Sequence, residues 1–121
     1  MSFIAKIFVI FVALEHLYIL WLEMFAWTSA GKRVFRSALP AELFEATKGL
    51  AANQGLYNGF LAAGLLWSLW IDDTQWQRNI ALFFLGCVAV AGIFGALRSA
   101  PKIFFLQALP ALIAMALVWL G

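Results

Sequence analysis

An all-α polytopic membrane protein, folded as a bundle of four transmembrane helices, follows from three features of these 121 residues. The composition is 65% hydrophobic and 12% charged, which leaves too few polar residues to cover a globule in water. The apolar residues gather into four runs, each roughly 17 to 25 residues long, the length that crosses a hydrocarbon core at about 1.5 Å per helical residue. No run alternates polar with apolar residues, and an isolated strand would leave its backbone groups unpaired in lipid. The expected solvent is a lipid bilayer, and residues 1–121 are expected to form one domain within it.

The first run covers about 3–27 and carries Lys6 near its start. It resembles a signal peptide only superficially. It is long, and it holds Glu15, His16 and Glu23 before any plausible cleavage site, so it is expected to remain as a helix. The connection "TSAGKRVFRSALPAELFEATKG" is too long for a tight turn and contains Phe35, Leu39, Leu43 and Phe44. Pro40 suits a helix start and Glu42 and Glu45 suit its first turns, which predicts a short cytoplasmic surface helix over about 40–49. The second run, about 50–71, places Gly55, Gly59 and Ala63 at four-residue spacing, the small-residue pattern that lets helices approach closely. The third, about 80–97, holds the single Cys87, which excludes an internal disulfide and reads as a small packing residue. The fourth covers about 103–120.

The net charge of +2 does not point to nucleic acid, because the basic residues form no continuous patch interleaved with aromatics. They read instead as topology signals. Lys32, Arg33, Arg36, Lys48, Arg98 and Lys102 fall in the first and third connections, against Lys6 and Arg78 on the other side. Cytoplasmic loops are enriched in Lys and Arg, so both termini are expected on the non-cytoplasmic side. Trp67, Trp70, Trp76 and Trp119 would then mark the outer interface, and Trp27 the inner one.

The stretch "ALEHLYILWLEMFAW" keeps two glutamates and the only histidine inside an apolar run. At about 100° per residue, Glu15, His16, Glu23 and Trp27 fall within one third of the helix circumference. On the second run, Asn53, Gln54, Tyr57 and Asn58 also cluster, within about 140°. Counted from the span ends, Glu23, Asn53 and Gln107 lie at similar depth, and Arg98 is long enough to reach toward Glu23. An amide or phenol in such a place serves as interhelical glue, at about 0.6 kcal/mol per hydrogen bond. An intramembrane charge costs at least about 2.5 kcal/mol and needs a partner or a role.

No metal and no cofactor is expected. His16 adjoins Glu15, without the spacing of a di-iron Glu-x-x-His pair, and about 10.5 Å of helix separates it from Glu23. No haem-attachment motif, nucleophile elbow or phosphate-binding glycine loop is present. The residues permit acid and base chemistry, or proton-coupled transport by a membrane glutamate.

Three motifs, "EHLYILWLEMFAW", "LAANQGLYNGFLAAGLLW" and "LQALPAL", resemble a family of small four-span bacterial inner-membrane proteins catalogued as a domain of unknown function. The resemblance covers nearly the whole chain and implies residence in the bacterial inner membrane, but no reaction. The expected site is a polar pocket of Glu15, His16, Glu23, Trp27, Asn53, Gln54, Tyr57, Asn58, Arg98 and Gln107 that binds or moves a small amphipathic molecule with proton coupling. The rival readings are an intramembrane acid/base enzyme on a lipid-soluble substrate and a non-catalytic assembly subunit; a homo-oligomer is compatible with each. For the orientation, cysteine labelling of intact cells is expected to reach a site engineered near Asp73 and to miss one near Arg33, and the reverse pattern would overturn it while leaving the spans.

Overall fold

The chain enters its first helix at Ser2, whose Oγ accepts a hydrogen bond from the Ala5 backbone N–H at 3.1 Å, meeting a donor that the first turn leaves unpaired. Helix α1 then runs from Phe3 to Phe25. The structure is a computed structural model describing residues 1–121. It contains helices and turns and no strand, so the chain is all-α.

After α1 the chain makes a wide π turn over Trp27–Gly31, closed by the Gly31 N–H on the Ala26 carbonyl at 2.6 Å. A side chain at Gly31 would meet the carbonyl oxygens of Ala26 and Leu22 at 2.9 and 3.1 Å, so the turn depends on glycine there. A single helical turn, α2 (Lys32–Val34), follows. The surface helix expected over about 40–49 is replaced by a 3-10 turn at Ala41–Leu43 and further turns that lead into α3 (Lys48–Leu69). Pro40 is extended at its N-terminus, and Thr47 Oγ1 donates to the Leu43 carbonyl at 2.7 Å, so local side-chain bonding competes with a regular helix.

Helix α4 begins at Thr74, earlier than the apolar run suggests, because Asp73 caps it by accepting from the Trp76 N–H at 2.9 Å. It continues to Arg98. The last apolar run divides into a π turn, Phe104–Ala108, and α5, Leu109–Leu120. Pro110 has no N–H, and its ring crowds the carbonyl four residues earlier, that of Leu106; the turn holding Leu106 widens accordingly.

Helix α1 packs against α3 and α5, α3 against α4, and α4 against α5 and the π turn before it. Each neighbour runs antiparallel to the last. Gly55 lies beside Glu23 and Met24, Gly64 beside Phe84, Gly92 beside Ala108, and Gly121 beside Ser2. The buried cluster consists mainly of alanine and valine, including Ala5, Val9, Val12, Ala81, Val88, Ala111, Ala114 and Val118, with Leu65 and Leu85. Many large apolar side chains face outward, among them Phe3, Phe11, Phe60, Phe83, Phe94 and Leu97. Of the small residues singled out on the second run, Gly55 and Gly59 meet α1, whereas Ala63 is exposed and the neighbouring Ala62 is buried. Two helices, α1 and α4, are long and apolar enough to cross a membrane; the apolar segment Phe104–Leu120 is shorter.

The tightest approach to backbone is at Gly92, where an added Cβ would lie 2.6 Å from the Ala108 backbone nitrogen. Backbone cannot move aside as a side chain can. Gly92→Val is expected to lower stability by about 1 to 3 kcal/mol through overpacking. Gly86→Ala, which meets nothing within 4 Å, should be neutral or stabilising by up to about 1 kcal/mol. Thermal unfolding of the two purified variants checks the contrast, and equal midpoints would refute the close contact.

Candidate functional site

Helix α1 carries two polar pairs, each joined to a different neighbour. The first centres on His16, which is fully buried. Its Nδ1 lies 2.9 Å from the Val12 carbonyl oxygen. A carbonyl only accepts, so Nδ1 carries a proton. On the far side of the ring, Gln107 Nε2 lies 3.1 Å from His16 Nε2. With the amide nitrogen donating, Nε2 is the acceptor and the imidazole is the neutral Nδ1–H tautomer with both nitrogens satisfied. A half-turn of the Gln107 amide would present its oxygen instead, the partner that an imidazolium requires. The Phe104–Ala108 π turn holds Gln107 in this position.

The second pair lies nearer the C-terminal end of α1. Asn58 Nδ2 donates to Glu23 Oε1 at 2.7 Å, and also to the Gln54 backbone carbonyl at 3.2 Å. Gly55 permits this pairing. A Cβ there would lie 2.7 Å from Met24 Cγ and 3.0 Å from Glu23 Cβ, so a larger residue would push α3 away from the carboxyl.

Glu23 also borders a cleft of about 300 Å³, lined by Met24, Phe25, Trp27, Thr28, Lys48, Gly49 and Ala52 as well. The Trp27 indole is fixed from three sides. Its Nε1–H donates to Thr47 Oγ1 at 3.0 Å, and its ring lies 4.8 Å from Phe44 and 5.5 Å from Phe35. At the rim, Lys48 Nζ pairs with Glu45 Oε1 at 2.8 Å, and this carboxylate raises the lysine pKa by hydrogen bonding and charge attraction. The cleft thus offers a carboxyl, an aromatic wall and a cation already engaged by its own partner.

The other candidates are placed differently. Glu15 is half-buried, and its Oε1 is buried without a hydrogen-bond partner. Asn53, Gln54 and Tyr57 are exposed, with the Tyr57 ring beside Phe60. Arg98 is exposed too and does not reach Glu23; its guanidinium lies 5.9 Å from the centre of the Phe94 ring, one turn back on its own helix. No group of three or more His, Cys, Asp or Glu side chains suited to a metal is present. Phe44 and Thr47 were missed as parts of the site. Thr47 meets Trp27 across a loop, and helical periodicity carries no signal for such a pairing.

A sequence profile of the family described as Protein of unknown function (DUF1304) matches residues 10–119, a range that includes both polar pairs. The chain is also 31% identical over 116 residues to the uncharacterized protein YpaA of Lactococcus lactis, an alignment covering 95% of this chain and 96% of that one. No solved structure matches the chain.

The two ring contacts of His16 predict a double-variant result. Gln107→Leu alone leaves a buried ring nitrogen without a partner and should cost about 1 to 3 kcal/mol. Adding His16→Phe removes the orphaned nitrogen and should restore much of the loss. Thermal midpoints of the single and double variants check this, and strictly additive losses would show that the pair is not coupled.

Proposed function

The chain belongs to the family described as Protein of unknown function (DUF1304), and we propose that it is a four-span membrane protein whose Glu23 cleft binds a small amphipathic molecule in exchange for a proton. The membrane part of this reading is supported by the length and apolar character of α1 and α4. It is supported further by the outward-facing Phe and Leu side chains, which water would not favour. The end regions differ in charge as an oriented membrane protein requires. Lys32, Arg33, Arg36, Lys48, Arg98 and Lys102 gather at one end, and exposed Trp67, Trp70, Trp76 and Trp119 at the other. In this reading the first end is cytoplasmic and α3, less apolar than its neighbours, is sheltered on one side by α1.

The observation that carries the functional part is the Glu23 carboxyl, held by Asn58 and facing a cleft with an aromatic wall. The Asn58 amide nitrogen can only donate, so it holds the same oxygen whether the carboxyl is protonated or charged. Glu23 can therefore change protonation without losing its position. An apolar part of the ligand would lie against Trp27 and Phe25, while a polar or cationic head replaces the proton on Glu23. His16 and Gln107, deeper along α1, form a second polar pair that lies outside this cleft.

Glu23→Gln keeps the shape and the fold while removing titration. It is expected to abolish proton release on ligand binding and to lower retention of a co-purified amphipathic molecule by about tenfold or more, equivalent to roughly 1.4 kcal/mol. Native mass spectrometry of the wild type and variant, with a pH indicator in weakly buffered detergent, measures both. Chemical conversion of the bound molecule would favour the enzyme reading instead, and an unaltered variant that retains a protein partner would favour an assembly role.

A further inference from the structure

A second cleft, of about 370 Å³, is formed by Lys32, Arg33, Arg36, Leu39, Ala41 and Phe44. It does not include Glu23. We propose that this cleft binds the phosphate headgroup of an anionic phospholipid from the surrounding membrane. The proposal rests on the membrane placement above but not on any role for Glu23.

Three cations converge on the cleft. Lys32 and Arg33 stand on the single turn of α2, and Arg36 follows one turn later, three and four residues on from them. None has an anionic partner within the protein: the one ion pair in the structure joins Lys48 to Glu45, and nearby Glu42 pairs with none of them. Like charges held together repel unless an anion lies between them. Arginine forks match phosphate oxygens in bidentate fashion, and lysine adds a point charge, so this donor set suits a phosphoryl group.

The apolar residues select the source of that phosphate. Leu39, Ala41 and Phe44 supply the remaining lining, and Phe44 is almost fully buried. A free phosphate ion has no use for such a floor. A phospholipid does, because its glycerol and upper acyl carbons follow the headgroup. The location agrees. The cleft lies just past the C-terminal end of α1, where a membrane helix would leave hydrocarbon for headgroups, and basic segments at that level attract anionic lipid.

The full chain, purified in an uncharged detergent, can be titrated with phosphatidylglycerol, phosphatidylcholine and inorganic phosphate and read by native mass spectrometry. The wild type is expected to retain phosphatidylglycerol about tenfold over phosphatidylcholine, with little displacement by millimolar phosphate. The triple variant Lys32→Gln/Arg33→Gln/Arg36→Gln should lose that preference, while Arg98→Gln/Lys102→Gln, at the same end, should keep it. Leu39→Gln should weaken lipid retention without creating phosphate binding. If the triple variant does not fold, high salt applied to the wild type replaces it and should abolish the preference by screening. Equal retention of the two lipids by the wild type, preference unchanged in the triple variant or in high salt, or full displacement by inorganic phosphate would each overturn the proposal. Since Glu23 is untouched in every variant, failure here is separate from failure of the Glu23 reading.

Discussion

Close approach of helices through glycine is the constraint from which both polar pairs follow. At Gly92, α4 comes within contact of the Ala108 backbone, and Ala108 is the neighbour of Gln107. At Gly55, α3 comes within contact of Glu23 and Met24, and Asn58 lies less than one turn further along. An amide is short, so it reaches a partner on another helix only where the axes are close. Without the Gly55 contact Glu23 would face a gap that only water or a ligand could fill, and without the Gly92 contact the turn that carries Gln107 would lose its seat on α4.

The same constraint distributes side-chain size through the molecule. Alanine and valine dominate the interior because little space remains between the helices, and most of the larger aromatic and aliphatic residues lie outside. Small interior and large exterior residues are the reverse of what water selects, and under the proposed membrane placement close packing rather than the hydrophobic effect would hold the helices together. Pro110 adds a local adjustment. By widening the turn before it, proline changes the direction in which Gln107 projects while leaving the rest of the run helical.

Much of the helical framework was legible in the sequence because hydropathy reports it directly: α1 and α3 lie within a few residues of the apolar runs. The start of α4 was less so, since Thr74 to Asn79 are mostly polar and only the Asp73 cap marks the boundary. For the site, periodicity identified polar faces but not the rotation of one helix against the next. Depth counted from the span ends places Asn53 and Gln107 level with Glu23, yet Asn58 is the residue buried against Glu23, Gln107 meets His16, and Asn53 is exposed. The pairing of His16 with Gln107 spans 91 positions and depends on a π turn that no amphipathic pattern encodes. The first connection was the least legible, because its order comes from Trp27 meeting Thr47 and Phe44 rather than from a repeating pattern.

That aromatic cluster also forms a partition. Trp27 lines the cleft beside Glu23, Phe44 lines the basic cleft, and their rings lie 4.8 Å apart. Whatever displaces one ring works against the other. Binding free energies coupled through a shared wall are reciprocal, so an occupant of the basic cleft that shifted these rings would change affinity beside Glu23 by the same factor that an occupant beside Glu23 would impose in return. With both proposed ligands bound, the partition would give the two clefts a common thermodynamic cycle without requiring any group to pass between them.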